Sequence, residues 1–349
     1  MILQYLSGNG DSAVFTVTTQ GKSTQYTIPD KKYKIIQVTG SVNISVPGAG
    51  QADFSNDDVC LCTRQYGAPS FYLQRIAKIK KIIQSTFVGD GNYDNIMKSI
   101  NRDGKQPFKY MDYLYVAFAD IDDSSPDSPK IYFRTDWEPK VKTIIAEAQK
   151  ENPNLIIFAQ FNWASYLAPL VEDPNKAYAR IDAFAKSIPP FLKQYGFRGI
   201  DFDWESVPTK LDTDKASYLF KQVKNYIGSG ACLSVSADNI TSFDSNILNQ
   251  YVDIVNVQSY QRLNMIDDFI KFGITSEKIY VGICSENDGG FYPPNGDISA
   301  YTGCVTDKGL PGLYAWRIDN DNTDHDLNVP RYTITKGMWK YTRGVDAQL

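Results

Sequence analysis

Histidine is nearly absent from this sequence, which contains only His325 among its 349 residues. A zinc site with three histidine ligands is therefore impossible, and a Ser-His-Asp hydrolase would have to be built on that one residue. No segment has the form G-x-S-x-G, the turn that exposes the serine nucleophile of many such hydrolases. We therefore expect a protein whose chemistry uses no metal and no cofactor.

Cysteine, long apolar runs and an excess of one charge are also scarce. Five cysteines leave at least one unpaired, so no disulfide scaffold is expected. No segment approaches the roughly 20 apolar residues of a membrane span. The net charge of -4 gives no reason to expect a nucleic acid or a membrane as partner. No standard signal peptide is visible, so the expected location is the cytoplasm, or outside the cell by a non-standard export route.

Residues 1–72 have the pattern of a small β-rich domain. Short runs of β-branched and aromatic residues, such as 13–17 and 34–38, are separated by Gly, Asn, Asp and Pro, and no helical period is present. The pattern predicts a β-rich N-terminal domain. It does not reveal the role of this domain, for which a polymer or a partner protein is the candidate ligand.

Residues 78–349 alternate strand-like apolar runs with helical or loop segments. The predicted strands are 79–87, 112–119, 155–161, 198–204, 233–236, 253–257, 278–282 and 312–316. Eight such runs, each followed by a connector, favour an α/β fold of the (β/α)8 TIM-type barrel class. An open doubly wound sheet is the alternative, but no glycine-rich phosphate loop follows the first strand. The helix predicted at 176–195 is interrupted at Pro189 and Pro190.

Three carboxylates alternate along the fourth predicted strand, at Asp201, Asp203 and Glu205. Alternate residues of a strand share one face, so the three side chains form a row with a spacing of about 7 Å. Buried anions are costly and Asp is uncommon in strands, which favours a functional explanation. Because like charges held close cannot all ionise, one carboxyl keeps its proton. Barrel active sites lie at the C-terminal strand ends, where Glu205 is the predicted acid.

An acid at this position is suited to protonating an electron-rich oxygen such as that of a glycosidic bond. The spacing alone leaves open whether Asp203 is a nucleophile or a charged partner of the acid. The segment 199–205 resembles the D-G-x-D-x-D-x-E signature of glycoside hydrolase family 18. The chitinases and endo-β-N-acetylglucosaminidases of that family are (β/α)8 barrels with the signature on strand four.

Other segments agree with this resemblance in chain order. Residues 115–119 resemble the family's strand-two YAFA, and 255–260 resemble its strand-six run, which ends in M-x-Y or Q-x-Y. Residues 312–316 resemble the strand-eight segment whose tryptophan lies under the cleaved sugar. The likeness extends over about residues 78–340.

The resemblance implies roles for single residues. Glu205 would protonate the scissile oxygen, and Asp203 would orient the N-acetyl group of the substrate. Asp201 would lie beneath Asp203 and share its proton, while Tyr260 would hydrogen-bond the acetamido group. The carbonyl oxygen of that group would attack the anomeric carbon, which retains configuration without a protein nucleophile.

Further residues are predicted to contact the substrate. Gln258 lies beside Tyr260 in sequence, and Trp316 would form the floor beneath the cleaved sugar. Tyr115 belongs to the YAFA-like segment. Trp163 follows the third strand, where it would either stack on a sugar or cover the barrel rim, and Glu286 follows the seventh strand.

The chain departs from the family pattern at three places. Arg198 replaces the first aspartate of the signature, so we expect altered pKa values in the row rather than lost activity. Ala-Gln-Phe-Asn at 159–162 replaces S-x-G-G on strand three, and Gln261 replaces the aspartate after the strand-six tyrosine. These departures affect the expected identity of the substrate more than the expected type of reaction.

The resemblance implies an endo-acting hydrolase of β-1,4-linked N-acetylglucosamine, with chitin or chitooligosaccharides as substrate. One alternative is an endo-β-N-acetylglucosaminidase that acts on N-glycan cores, against which Trp204 favours a chitinase. The other is a non-catalytic, chitinase-like lectin. Such lectins usually lose the terminal glutamate of the signature, and this chain retains Glu205.

Overall fold

The computed structural model describes residues 2–6, 10–36, 41–54, 59–64, 71–76, 82–89, 93–287 and 290–349. The chain divides into two compact units, Met1–Lys81 and Ile82–Leu349. No helix among the described residues is both long enough and apolar enough to cross a membrane.

The first unit is built from β-strands. They are β1 (Ile2–Leu6), β2 (Ser12–Thr19), β3 (Lys22–Pro29), β4 (Lys32–Ile35), β5 (Val42–Val46), β6 (Gly50–Phe54), β7 (Val59–Arg64) and β8 (Phe71–Ile76). One sheet has the order β4-β1-β7-β8 and the other the order β3-β2-β5-β6. Side chains of both sheets, including Tyr5 and Phe15, form a single buried core. The N-terminal region is therefore β-rich, as the sequence predicts.

The second unit contains a closed barrel of parallel strands. These are β9 (Ile83–Val88), β10 (Tyr113–Asp122), β12 (Ile156–Phe161), β13 (Gly199–Trp204), β14 (Cys232–Ala237), β15 (Ile254–Val257), β16 (Ile279–Cys284) and β17 (Gly312–Trp316). Each strand pairs in parallel with the next, and β17 pairs with β9 to close the ring. The predicted (β/α)8 TIM-type barrel is confirmed.

Helices and short strands surround the barrel. The helices are α1 (Tyr93–Asp103), α2 (Glu138–Glu151), α3 (Ala168–Val171), α4 (Ala177–Tyr195), α5 (Thr213–Ile227), α6 (Ser245–Tyr251), α7 (Asn264–Phe272), α8 (Ser299–Lys308) and α9 (Thr333–Arg343). The short strands are β11 (Lys130–Tyr132), β18 (Thr323–Asp324) and β19 (Val329–Pro330), of which β11 pairs antiparallel with the end of β10. Short 3-10 helices include Ala164–Leu167, directly after β12.

Strand β13 shows how the sequence directs its side chains. The ring of Phe202 packs on Phe161 and Phe220, and Trp204 packs on Phe220 and Phe243, in the layer between strands and helices. The intervening residues, Asp201 and Asp203, therefore face the barrel interior. The apolar half of the strand anchors it, and the acidic half is available to the site.

Helix α4 differs from the prediction. It runs without a break from Ala177 to Tyr195 and contains both Pro189 and Pro190. Each proline removes a backbone donor, which normally kinks or ends a helix. The apolar face nevertheless continues through the prolines, with Ala185 and Ile188 buried before them and Phe191 after them. Burial along this face offsets the missing hydrogen bonds, so the predicted interruption was wrong.

Candidate active site

The carboxylate row begins inside the barrel and ends at the C-terminal mouth. Asp201 is completely buried, Asp203 is 3% exposed, and Glu205 is half-buried just beyond the end of β13. Ser206, the next residue, has a φ of 52° and turns the chain away from the strand direction. The three side chains thus form a path from the dry interior to solvent.

Four donors hold Asp201 at the base of the row. Ser234 Oγ and Ser236 Oγ donate to its two oxygens at 2.6 and 2.8 Å, and the amides of Gln160 and Asn256 donate at 3.1 and 3.4 Å. Burial raises the pKa of Asp201 to about 6, and these hydrogen bonds oppose the rise. At neutral pH Asp201 is therefore a buried carboxylate whose oxygens are already occupied by donors.

Asp203 lies in the middle of the row, where its surroundings favour the protonated form. Burial raises its pKa well above the usual range, and the negative charges of Glu205 and Asp201 raise it further. The amide of Gln258 donates to Asp203 Oδ1 at 2.9 Å and to Glu205 Oε1 at 3.3 Å. This bridge holds the two carboxyls side by side as a pair.

A cavity of about 230 Å³ opens above the carboxyl pair. Its lining residues are Phe87, Phe118, Gln160, Trp163, Asp203, Glu205, Ser236, Gln258, Tyr260, Tyr314 and Trp316. We call this cavity the cleft. Aromatic rings supply much of its wall and carboxyl or amide groups lie at its base, which is the usual composition of a small-molecule site. Six of the site residues predicted from the sequence therefore line the cleft, namely Asp203, Glu205, Gln258, Tyr260, Trp316 and Trp163.

Neighbouring side chains surround Tyr260 and Trp316 in the cleft. Burial, with Tyr314 and Asp203 close by, raises the pKa of Tyr260 well above its usual value, so its hydroxyl remains a donor. The Trp316 ring lies 5.5 Å from that of Phe87 and 5.9 Å from that of Phe118. These packed rings form an apolar surface beside the carboxyl pair.

Two predicted substrate contacts lie elsewhere. Tyr115 is completely buried in the barrel, stacked on Phe87 at 4.5 Å and tilted against Phe158 at 4.9 Å, so it supports the cleft wall from below. The alternation of side chains along β10 predicts which face of the strand carries Tyr115, but not how deep in the barrel its side chain lies. The prediction that Tyr115 contacts the substrate directly is therefore corrected. Glu286 pairs with Arg317 at 3.4 Å and accepts from Asn320 at 3.0 Å, beside the cleft rather than in its lining.

Arg198 lies at the opposite end of the barrel from the cleft. It is exposed and precedes β13, whose other end carries Glu205, a separation of roughly 20 Å for a strand of this length. Its backbone joins the sheet through hydrogen bonds to Ile157 and Cys232. The cation that replaces the first signature aspartate is thus remote from the carboxyl pair.

The sequence did not reveal the residues that hold Asp201. Gln160, Ser234, Ser236 and Asn256 come from three other strands, and their polar side chains point into the barrel. Knowledge of the strand register would have identified two of these donors, because Gln160 and Ser234 both pair directly with Asp201. Among the described residues, no group of three or more His, Cys, Asp or Glu side chains has the arrangement of a metal site.

Comparison with known proteins gives the same barrel. Residues 87–286 match the family model described as glycosyl hydrolases family 18. Among solved structures, a class V chitinase from Nicotiana tobaccum superposes with a TM-score of 0.58 at 14% identity, covering 74% of this chain and 99% of that chain.

Two further solved structures bear names that do not denote chitinases. A chitinase-like agglutinin from Robinia pseudoacacia has a TM-score of 0.59 at 15% identity, covering 74% of this chain and 99% of that one. Human YKL-39, described as a pseudo-chitinase with retained chitooligosaccharide binding, has a TM-score of 0.59 at 15% identity, covering 76% and 100%. At such low identity these matches establish the fold alone.

Proposed function

The chain belongs to glycosyl hydrolase family 18, and from this premise we propose that it is an endo-acting chitinase that cleaves β-1,4 linkages between N-acetylglucosamine residues. The observation that carries the proposal is the buried Asp203 carboxyl, bridged to Glu205 by the Gln258 amide at the base of the aromatic cleft. An enzyme that cleaves a glycosidic bond needs a proton at this position.

The charges of the row support a single mobile proton. Asp201 is ionised and saturated with donors, so it acts as a fixed negative charge beneath Asp203. That charge and burial keep the proton on the Asp203–Glu205 pair. Glu205 is the member of the pair that lies nearest the mouth, where the substrate oxygen would lie.

The proposed reaction begins with transfer of this proton from Asp203 to Glu205, which passes it to the leaving glycosidic oxygen. The Asp203 carboxylate then faces the positive charge that develops on the sugar. The acetamido oxygen of the substrate forms the new bond to the anomeric carbon as the glycosidic bond breaks. Water next attacks that carbon and returns a proton to Glu205, so the product retains the β configuration.

Tyr260, Gln258 and Trp316 are suited to hold the acetamido sugar in this sequence. The Tyr260 hydroxyl is a donor at neutral pH, because the pKa of Tyr260 lies well above its usual value, and it borders the same cavity as Asp203. The Gln258 amide fixes the orientation of both carboxyls. The Trp316 ring provides a flat apolar surface for the face of a pyranose.

An alternative enzyme function is cleavage of N-glycan cores, which shares the same acetamido chemistry. We favour a linear polymer because the glycan-cleaving members of the family more often lack a tryptophan at the position of Trp204. The Trp204 ring itself packs in the helix layer, away from the cleft. A purely lectin function would give no reason to retain Glu205 and the proton-sharing pair. Structural neighbours include an agglutinin and a pseudo-chitinase, so the assay includes a binding measurement that separates a lectin from an enzyme.

The proposal is tested by incubating the wild-type protein and Glu205→Gln with N-acetylglucosamine oligomers, a high-mannose glycopeptide and fully deacetylated oligomers. We expect cleavage of the acetylated oligomers by the wild type only, and resistance of the deacetylated ones, which lack the attacking carbonyl. Exclusive cleavage of the glycopeptide would favour the N-glycan alternative. Binding of the oligomers without turnover of any substrate would establish a lectin instead.

A further inference from the structure

Gln160 borders the cleft with only one half of its amide hydrogen-bonded. It lies on β12 and is 1% exposed. Its Nε2 donates to Asp201 Oδ2 at 3.1 Å, whereas its Oε1 is buried without a hydrogen-bond partner among the residues that the structure describes. A buried acceptor that lacks a donor is costly, so its place in the wall of a cleft indicates a ligand that supplies the donor.

Asp201 fixes the orientation of this amide. An ionised carboxylate accepts hydrogen bonds and cannot donate one, so the nitrogen of Gln160 must face it. On the other side of β12, Gln160 pairs with Ala117 of β10, whose side chain has no donor. Three further donors around Asp201 are already committed to it, namely those of Ser234, Ser236 and Asn256. The Oε1 atom of Gln160 therefore remains available to a donor that enters the cleft.

Gln160 lies deeper in the barrel than the carboxyl pair. It pairs in register with Asp201, which precedes Asp203 by one inward-facing position on β13. The cleft therefore extends below the carboxyl pair, and at this depth Gln160 and Ser236 provide polar wall. A polar base of this kind does not match a purely apolar acyl substituent.

The proposed reaction directs the acyl substituent of the sugar toward this base. When the acyl oxygen bonds to the anomeric carbon, two bonds of the acyl carbon, through oxygen and nitrogen, lead back to the sugar ring. The third bond carries the acyl substituent and points away from the ring. Because the reacting linkage lies beside Glu205 at the mouth, this direction leads into the barrel. The methyl of an acetyl group offers no donor there, whereas the hydroxyl of a glycolyl group does.

We propose that Gln160 determines the specificity for the N-acyl group: its Oε1 accepts a hydrogen bond from the hydroxyl of an N-glycolyl group, so that N-glycolylglucosamine units are favoured substrates. The inference rests on the proposed function and deepens it. It also gives a role to the departure from the family pattern at 159–162, because Gln160 supplies a donor to Asp201 and adds an acceptor to the cleft.

The test compares N-glycolyl with N-propionyl glucosamine oligomers of equal length. The two acyl groups are nearly equal in size, but glycolyl has a hydroxyl where propionyl has a methyl. For the wild type we expect kcat/KM to be about ten-fold higher on the glycolyl oligomer, the effect of one buried hydrogen bond. Gln160→Met keeps a similar shape without the amide and should bring the ratio of the two values to within about two-fold of one.

Ser236→Ala is the matched control. It also borders the cleft and also removes one donor from Asp201, but it leaves Gln160 Oε1 in place. Both variants should lower the rates on every oligomer, and only Ser236→Ala should keep the ten-fold ratio. A ratio near one for the wild type, as expected if a water molecule satisfies Oε1, would overturn the inference while leaving the proposed function in place. A ten-fold ratio that persists in Gln160→Met would overturn it too.

Isothermal titration of the same two oligomers into Glu205→Gln, alone and combined with Gln160→Met, separates the inference from the proposed function. If the wild type cleaves no oligomer, but tighter binding of the glycolyl oligomer is lost with Gln160, the proposed function fails and the inference stands. Equal affinity for both oligomers would again contradict the role of Gln160.

Discussion

Asp203 is the residue on which the chemistry of the site depends. It is nearly inaccessible to solvent, lies between two other carboxyl groups, and has a pKa raised first by burial and then by its charged neighbours. In the proposed mechanism, a neutral aspartic acid in this position both supplies a proton to Glu205 and becomes a carboxylate when a cation forms on the substrate. An asparagine has nearly the same shape but can do neither.

For Asp203→Asn we therefore expect kcat to fall by at least about 100-fold, as for loss of a general acid, with KM changed much less. Steady-state kinetics on a soluble acetylated oligomer would measure the effect. Asp136→Asn provides the control, because that side chain is 78% exposed on the surface. A large rise in KM with kcat retained would assign Asp203 to substrate binding alone.

Arg198 leads to the opposite expectation. Because its side chain is exposed at the far end of β13, Arg198→Ala should leave kcat within about two-fold of the wild type at every pH. The pH–rate profiles of the two proteins would be compared at physiological ionic strength. A displaced profile would show that Arg198 alters the pKa values of the row after all, as the sequence suggested.

At the residue scale, the sequence predicted which carboxyls share a face but not what surrounds them. Alternation placed Asp201 and Asp203 in one row, because that period is a property of any strand. Which residues of the neighbouring strands lie beside Asp201 depends on the strand register, which the sequence does not reveal. The four donors to Asp201 therefore could not be predicted. The depth of a side chain along the barrel is equally invisible in the sequence, which therefore predicts that Tyr115 contacts the substrate, although its ring is fully buried against Phe87.

At the scale of single elements, the C-terminus of α2 contains a titrating group unrelated to the cleft. Glu151 is 9% exposed, and its Oε2 accepts from the backbone of Phe108 at 2.8 Å. Burial raises its pKa to about 7 from a usual value of 4.5. In the folded protein Glu151 thus binds its proton more tightly than in the unfolded chain. Its contribution to stability is therefore lost as the pH rises from about 4.5 through 7.

Glu151→Gln should remove this dependence, because a glutamine keeps the acceptor for Phe108 and never ionises. Chemical denaturation should give nearly equal free energies of unfolding for variant and wild type at pH 4.5. At pH 8 the variant should be more stable, by at most about 3 kcal/mol. Parallel stability curves across this pH range would contradict the raised pKa.

Helix α4 shows why the sequence predicts the type of an element more readily than the residues at which it begins and ends. Local rules end a helix at consecutive prolines, since they consider only the missing donors and the ring clash. Tertiary burial of Ile188 and Phe191 acts on the same residues, and only the folded structure reveals it. The barrel strands were predicted within a few residues because their apolar runs are bounded by polar turns on both sides.

At the scale of the whole molecule, the two units have separate cores. The described core of the first unit extends from Leu3 to Cys62, and the buried clusters of the barrel begin at Phe87. Every residue that lines the cleft belongs to the second unit. We therefore expect the chain 82–349 to fold and to keep kcat/KM on soluble oligomers within about two-fold of the full chain.

Circular dichroism and oligomer kinetics of this shorter chain would measure both properties. Measuring the activity of both proteins on insoluble chitin tests whether the first unit binds the polymer. If it does, only the full chain should keep its activity on the insoluble substrate. Loss of activity on soluble oligomers, with the barrel still folded, would show that the first unit contributes to catalysis.

The central claim is that the Asp203–Glu205 pair drives hydrolysis through the acetamido group of the substrate. Proton NMR of the first products released from an N-acetylglucosamine hexamer tests it most directly. The wild type should release the β-anomer before mutarotation, and Glu205→Gln should release no product. An initial α-anomer, or undiminished turnover by Glu205→Gln, would contradict the claim.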